Sequence, residues 1–457
     1  MEASAVALRL LGTPVISSTS TDHARKCPRA LVGRAATLGH NGAMAFALLF
    51  VGCFAVACVA LTLWPLRFTG LVGPSFLVGW LTGELAQHWV VVLGILGVGG
   101  VAFGGLQETS GVLGLALIVV AEVGLVVLAV EGHRASRSVQ AGLDQARGLG
   151  TLRAAPAEVA SCSIARQAFV IPVVPRSVVR TRNLDYVGDA KRAHRLDLYQ
   201  PRRRPPETDP MPIFLYLHGG AWVVGDKREQ GKPMLFELAR RGWLCVSANY
   251  ELSPRATWPT HVVDCKRAID RVRTHAAELG GDPNCIVIAG GSAGGHLAAL
   301  CALTADDPSL QPGFATADTS VRGCVSLYGV LEMTGDPSSS GAYSTELVEL
   351  LERLVIKQRL EEDRQVFEAA SPLHRITAAA PPFLVVQGRS DTMVPVATAR
   401  QFVARFRATT SAPLVSVELP LAQHAFDIFP SPRTRATVAG VVAFCEALRR
   451  GEDRVER

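Results

Sequence analysis

The sequence predicts an α/β domain, a mostly parallel sheet with helices on both faces, preceded by an N-terminal helical transmembrane region. Three observations carry this. From about residue 185 to 450, apolar runs of strand length alternate with helical runs, the rhythm of a parallel sheet covered on both sides. Two glycine-rich turns, HGGAW at His218 to Trp222 and GGSAGG at Gly290 to Gly295, each follow such an apolar run. The first third of the chain holds long stretches without charge.

Residues 1–41 have no periodicity and are expected to lack regular structure, with Met44 an alternative start. Gly42 to Pro65 carries no charged residue and is long enough for a hydrocarbon core of about 30 Å. Trp89 to Leu106 and Ser110 to Val130 are further candidates, the second interrupted only by Glu122. Phe68 to Gly83 is shorter and contains Pro74, so it reads as a fourth span or an interfacial segment. Region 42–131 is thus expected to cross the membrane three to four times, its glycines from Gly94 to Gly105 allowing close helix packing. Basic residues flank it on both sides, Arg25, Lys26, Arg29 and Arg34 before and Arg134, Arg137, Arg147 and Arg153 after. That favours an even number of spans with both ends cytoplasmic, whereas three spans would put the following domain across the membrane. Residues 132–184 read as a basic linker.

In the domain at 185–450 the strand candidates are LDLYQP, PIFLYLH, WLCVSANY, CIVIAG, VRGCVSLYG, PFLVVQG and LVSVELP. Helices are expected over 232–241, 259–279, 294–304, 396–407 and 433–449. Residues 330–372 break the rhythm with a polar loop at 336–344 and a charged helix near 346–362, an insertion placed to form a lid.

GGSAGG sits between a strand and a helix, the setting of a G-x-S-x-G nucleophile elbow, in which Gly290 and Gly294 leave room and Ser292 projects. A serine hydroxyl needs a base within hydrogen-bond reach and a carboxylate to orient that base. Downstream, Asp391 in GRSDTMVP and His424 in QHAFD each follow a strand end, in the acid-then-histidine order. Asp427 is an alternative acid. Backbone N–H groups of Gly219, Gly220 and Ala293 are the candidate oxyanion donors, with His218 bracing its loop.

HGGAW with GDK at Gly225 to Lys227, NYELSP at Asn249 to Pro254, GGDP at Gly280 to Pro283, GGSAGG, GRSDTMVP and QHAFD occur in one order. Together they resemble the α/β-hydrolase fold carboxylesterases of the hormone-sensitive-lipase-like group, closest to membrane-anchored bacterial members. The resemblance covers about residues 185–448. It implies a Ser292–Asp391–His424 triad working through an acyl-enzyme without cofactor or metal, on a small-molecule or lipid ester, in a multi-pass protein of a bacterial plasma membrane. HGGAW is also similar to formamidases and prenylcysteine methylesterases, which leaves ester, thioester and amide open.

The cysteines form no C-x-x-C pair or zinc spacing and read as small buried hydrophobes. A formal charge of +6, dispersed along the chain, is too small for a nucleic-acid binder. Arg202, Arg203 and Arg204 between prolines could meet anionic lipid heads or lie in a solvated loop.

Overall fold

The computed structural model describes residues 29–68, 70–146, 148–203, 210–336 and 342–451. Eight strands form one sheet: β1 (Val178–Asp185), β2 (Arg195–Pro201), β3 (Met211–Leu217), β4 (Leu244–Ala248), β5 (Gly281–Gly291), β6 (Gly323–Leu327), β7 (Phe383–Gly388) and β8 (Leu414–Leu419). Their order is β1-β2-β4-β3-β5-β6-β7-β8. The β1–β2 and β2–β4 pairs are antiparallel and the rest parallel. Every residue of β3 is buried because both faces are covered. Ile213, Leu215 and Leu217 enter one core with Val262, Leu297 and Phe402. Phe214 and Tyr216 enter the other with Leu235, Val438 and Phe444. This is the period-2 alternation of a central strand.

The expected helices form as Lys232–Arg240, Thr260–Thr274 with a short Ala276–Leu279 continuation, Ala293–Leu303, Val396–Thr409 and Pro432–Arg450. The insertion differs from expectation. A helix at Ala342–Leu350 runs into a π-helical turn at Leu351–Val355, and a separate helix follows at Arg364–Ala370. Leu351 and Val355 are buried, so the core draws the chain inward there and the charged 359–363 stretch becomes a surface connection. Most of the expected 336–344 loop lies outside the described residues, as does Arg204.

Among the described residues four helices longer than ten residues precede the sheet: α1 (Arg29–Leu63), α2 (Val72–Glu84), α3 (Ala86–Ala102) and α4 (Thr109–Asp144). Two stretches within them, Asn41–Leu63 and Thr109–Asp144, are long and apolar enough to cross a membrane. The segments expected to add one or two more spans form α2 and α3, bent by 82° at Leu85 and individually shorter than a span. Residues 29–41, expected to lack regular structure, begin α1, while 1–28 lie outside the described residues. Helices α1 and α4 meet closely: a Cβ on Gly52 would lie 2.5 Å from the carbonyl oxygen of Gly114, the approach that small residues permit.

The expected linker at 132–184 is instead part of the globular body. Helix α4 continues to Asp144, and its Ala135, Val139 and Leu143, four residues apart, are buried in the same core as Val417 and Phe444. A Cβ on Gly142 would come 2.6 Å from Val417. Leu149, Leu152, Val159 and Cys162 are buried in that core as well. The domain's first strand, β1, starts seven residues before the expected boundary at 185. Its VVRTRNLD sequence is mostly half-buried or exposed, because an edge strand carries polar residues in place of an apolar run.

Leu143 is therefore a core residue although it precedes every strand. Leu143→Ala is expected to lower stability by about 2–5 kcal/mol, measured by denaturation of the detergent-solubilised full chain.

Candidate active site

Ser292 follows β5 with φ 56° and ψ −123°, a conformation that costs a non-glycine residue on the order of 1–3 kcal/mol. The surroundings leave no space to relax it. A Cβ on Gly290 would lie 2.3 Å from Gly294, one on Gly294 2.1 Å from the Leu217 carbonyl, and one on Gly291 2.5 Å from the Tyr328 hydroxyl. GGSAGG is the composition that lets this turn pass between β3 and β6. Six non-glycine residues with positive φ gather beyond the carboxyl ends of strands: Ala221, Trp222, Ser292, Tyr328, Leu421 and Ala425. Strain of this kind concentrates at functional sites.

Asp391 and His424, 33 positions apart, are joined: His424 Nδ1 lies 2.8 Å from Asp391 Oδ2. Asp391 is fully buried and saturated. Its Oδ2 also accepts from Gln387 Nε2 at 2.9 Å, and its Oδ1 from the N–H groups of Met393 and Val394 at 2.8 and 2.7 Å. Four donors fix the carboxylate that meets the ring. Gln423 ties the two loops together, its Oε1 accepting from the N–H of Thr392 and of His424 at 2.8 and 3.0 Å. The His424 ring lies edge-on to Tyr328, centroids 4.7 Å apart, and to Phe76 at 5.9 Å. No hydrogen bond joins Ser292 Oγ to the imidazole in this conformation. Catalytic hydrogen bonds commonly tighten only in the substrate complex.

The HGGAW loop lies against the elbow, where a Cβ on Gly219 would sit 3.0 Å from that of Ser292. Its geometry corrects one expectation. Gly219 does not offer a free donor, because its N–H is held by Gln230 Oε1 at 2.7 Å. Gly220 and Ala293 keep their N–H groups unengaged among the described residues, and so does Ala221, which is not among the expected donors. His218 is buried, and burial lowers its basicity. Its ring stacks on Tyr250, whose hydroxyl donates to the His218 carbonyl at 2.8 Å, so it braces the loop as expected. Trp222 Nε1 donates to His296 Nδ1 at 3.2 Å. Burial takes His296 down to about 3, and its Nε2 meets the Ala370 carbonyl at 2.8 Å. In NYELSP, Asn249 Oδ1 accepts from the Lys227 N–H at 2.6 Å, which is how GDK and NYELSP come to act as one brace.

Among the described residues a single group offers three metal-type ligand atoms within 4.8 Å of one another, His194, Glu251 and Asp264. Its members already have protein partners. His194 Nδ1 meets Asp189 at 2.8 Å, Lys191 meets Glu251 at 3.1 Å, and Asp264 accepts from the Glu251 N–H at 3.0 Å.

The BD-FAE family model matches residues 196–406. "Probable carboxylic ester hydrolase LipM" of Mycobacterium tuberculosis is 38% identical over 410 residues, spanning 86% of this chain and 92% of LipM. The chain belongs to this family of carboxylic ester hydrolases. Esterase LipQ of the same organism is 41% identical over 281 residues, 60% of this chain and 65% of LipQ. "Probable isoprenylcysteine alpha-carbonyl methylesterase ICMEL1" of Arabidopsis thaliana is 29% identical over 51% of this chain and 47% of its own length. Esterase B of Lactobacillus rhamnosus shares the fold, with a TM-score of 0.53 and 22% identity over 64% of this chain and 92% of that one. The match to LipM extends beyond the sheet domain, whereas the match to LipQ covers three-fifths of the chain.

Gln230, Gln387, Gln423 and Tyr328 were not foreseen. Their roles follow from contacts made across the strand ends, and only Gln423, beside His424, had a sequence signal in its neighbour. Asp427 is buried, with Oδ1 accepting from the Tyr328 hydroxyl and Oδ2 unpartnered, and it makes no hydrogen bond to the His424 ring. Burial pushes its carboxyl up to about 6. With a folded-state value above the ordinary one, its contribution to stability is present at low pH and lost as pH rises through about 6. Asp427→Asn is expected to gain about 1–3 kcal/mol over wild type on going from pH about 4 to about 7, read from paired thermal melts, while keeping most ester hydrolysis. Asp391→Asn should lose most hydrolysis, and the reverse ranking would make Asp427 the acid.

Proposed function

We propose that this protein is a membrane-anchored serine carboxylesterase that cleaves carboxylic esters through an acyl-enzyme, with Ser292 as nucleophile, His424 as base and Asp391 as the acid that orients it. The observation that carries the reading is the 2.8 Å contact between His424 Nδ1 and a fully buried, four-donor Asp391, at the same sheet edge as a strained serine elbow. In this scheme His424 Nε2 takes the Ser292 proton as Oγ attacks the acyl carbonyl. The oxyanion is met by the N–H groups of Gly220, Ala221 and Ala293, each such donor contributing roughly 3–4 kcal/mol of transition-state stabilisation. His424 then protonates the leaving alcohol and later deprotonates the water that frees the acid.

Asn41–Leu63 and the apolar part of Thr109–Asp144 that precedes Ala135 are the proposed membrane anchor. Trp64, Phe68 and Leu71, all exposed, lie between the first of these and α2, an apolar margin suited to lipophilic acyl groups. The likeness to ICMEL1 supports a second reading, a methyl ester of a prenylated cysteine cleaved by the same machinery.

Ser292→Ala in the full-length, detergent-solubilised protein is expected to abolish both fluorophosphonate labelling and hydrolysis of p-nitrophenyl esters from C2 to C16. Turnover near the wild-type rate in that variant would overturn the serine mechanism. A prenylcysteine methyl ester cleaved far faster than any acyl ester would select the second reading.

A further inference from the structure

We infer that α2, a helix of the N-terminal apolar region, is a working part of the active site, and that Phe76 positions the imidazole of His424. The inference rests on the reading of His424 as the base for Ser292.

Helix α2 does not stand apart from the sheet domain. Residues 72, 76, 80 and 84, spaced so that they share one side of a helix, all meet the segments that carry the acid and the histidine. The Val72 carbonyl accepts from Thr392 Oγ1 at 3.4 Å, one residue after Asp391. Phe76 lies against the His424 ring, at 5.9 Å between centroids and 80° between planes. Trp80 donates from Nε1 to the Ala425 carbonyl at 2.9 Å and stacks on Phe429 at 4.7 Å. Glu84 is buried and paired with Arg433, and accepts from Ser431 Oγ at 2.7 Å. Between these contacts lies Gly79, where a Cβ would come 3.4 Å from Nε2 of Gln423. Gln423 is the side chain that clips the Thr392 and His424 N–H groups together. The helix therefore backs the clip joining the two loops, while Phe76 lies against the histidine ring and Trp80 holds the residue after it.

The consequence for chemistry is geometric. Asp391 fixes one ring nitrogen, but a single hydrogen bond leaves the imidazole free to tilt about it. Tyr328 and Phe76 limit that tilt, at 4.7 and 5.9 Å. Proton transfer between Ser292, His424 and the leaving alcohol is sensitive to misplacement on the ångström scale. Loss of Phe76 should thus slow the chemical step without weakening the capture of a small ester.

The test uses the full-length protein in detergent with p-nitrophenyl acetate. Phe76→Ala is expected to lower kcat about tenfold with KM changed less than about twofold, the split that marks an interaction used in the transition state. Fluorophosphonate inactivation should slow by a similar factor. Phe76→Leu, which restores bulk, should recover most of the rate. Leu77→Ala, on an exposed neighbouring position of the same helix, should leave it unchanged. If Phe76→Ala does not fold, the comparison of Phe76→Leu with Phe76→Val provides the graded readout, and equal kcat in those two would overturn the inference. So would a Phe76→Ala enzyme with wild-type kcat, a loss confined to KM, or an equal loss in Leu77→Ala. Turnover that survives Ser292→Ala would instead sink the underlying mechanism, whereas Ser292-dependent turnover indifferent to Phe76 sinks only the positioning role.

Discussion

The left-handed backbone at Ser292 is the constraint on which the rest of the site depends. A serine at φ 56° and ψ −123° is held there only because β3, β5 and β6 approach so closely that no other path is open to the chain. Side chains at Gly290, Gly291 or Gly294 would each strike a neighbour within 2.5 Å. The stiffness of a parallel sheet buried on both faces supplies the force. In return the turn leaves the Ala293 N–H at the start of a helix, where a developing negative charge is favoured.

Around that point the side chains work in tiers. Asp391 orients His424, Gln387 and the Met393 and Val394 amides orient Asp391, and Gln423 fixes the spacing of the two loops. On the other side of the elbow Gln230 takes the Gly219 N–H, and the following two amides are unengaged among the described residues. Trp222 and His296 tie the same loop to the helix after Ser292 and, through Ala370, to the insertion between β6 and β7. Polar groups buried this deeply are costly unless partnered, so the network rigidifies the segments it joins.

Much of this was legible in the chain. The strands from LDLYQP to LVSVELP were read from apolar runs, and the serine, aspartate and histidine from their order after strand ends, since those signals are local. Three features were not legible. Strand β1 is a polar edge, so it lacks the apolar run that marks a buried strand. The second half of α4 looked like a basic linker because Ala135, Val139 and Leu143 are spaced among arginines and serines. Gly219 looked like a donor because a glycine leaves its amide accessible, yet a glutamine eleven residues on reaches it first.

The sequence by itself determined the fold class and the elbow and narrowed the proposed triad to Ser292, His424 and a choice of two acids, because each depends on residue type and short-range spacing. Only the tertiary structure decided which amides of the HGGAW loop are unengaged, which carboxylate meets the histidine, and that α2 lies against both loops. Those outcomes are set by contacts between segments far apart in the chain, such as Phe76 with His424 and Glu84 with Arg433. Contacts of that range leave no periodic trace in either partner, since they arise from where the sheet brings the segments rather than from what either segment encodes alone.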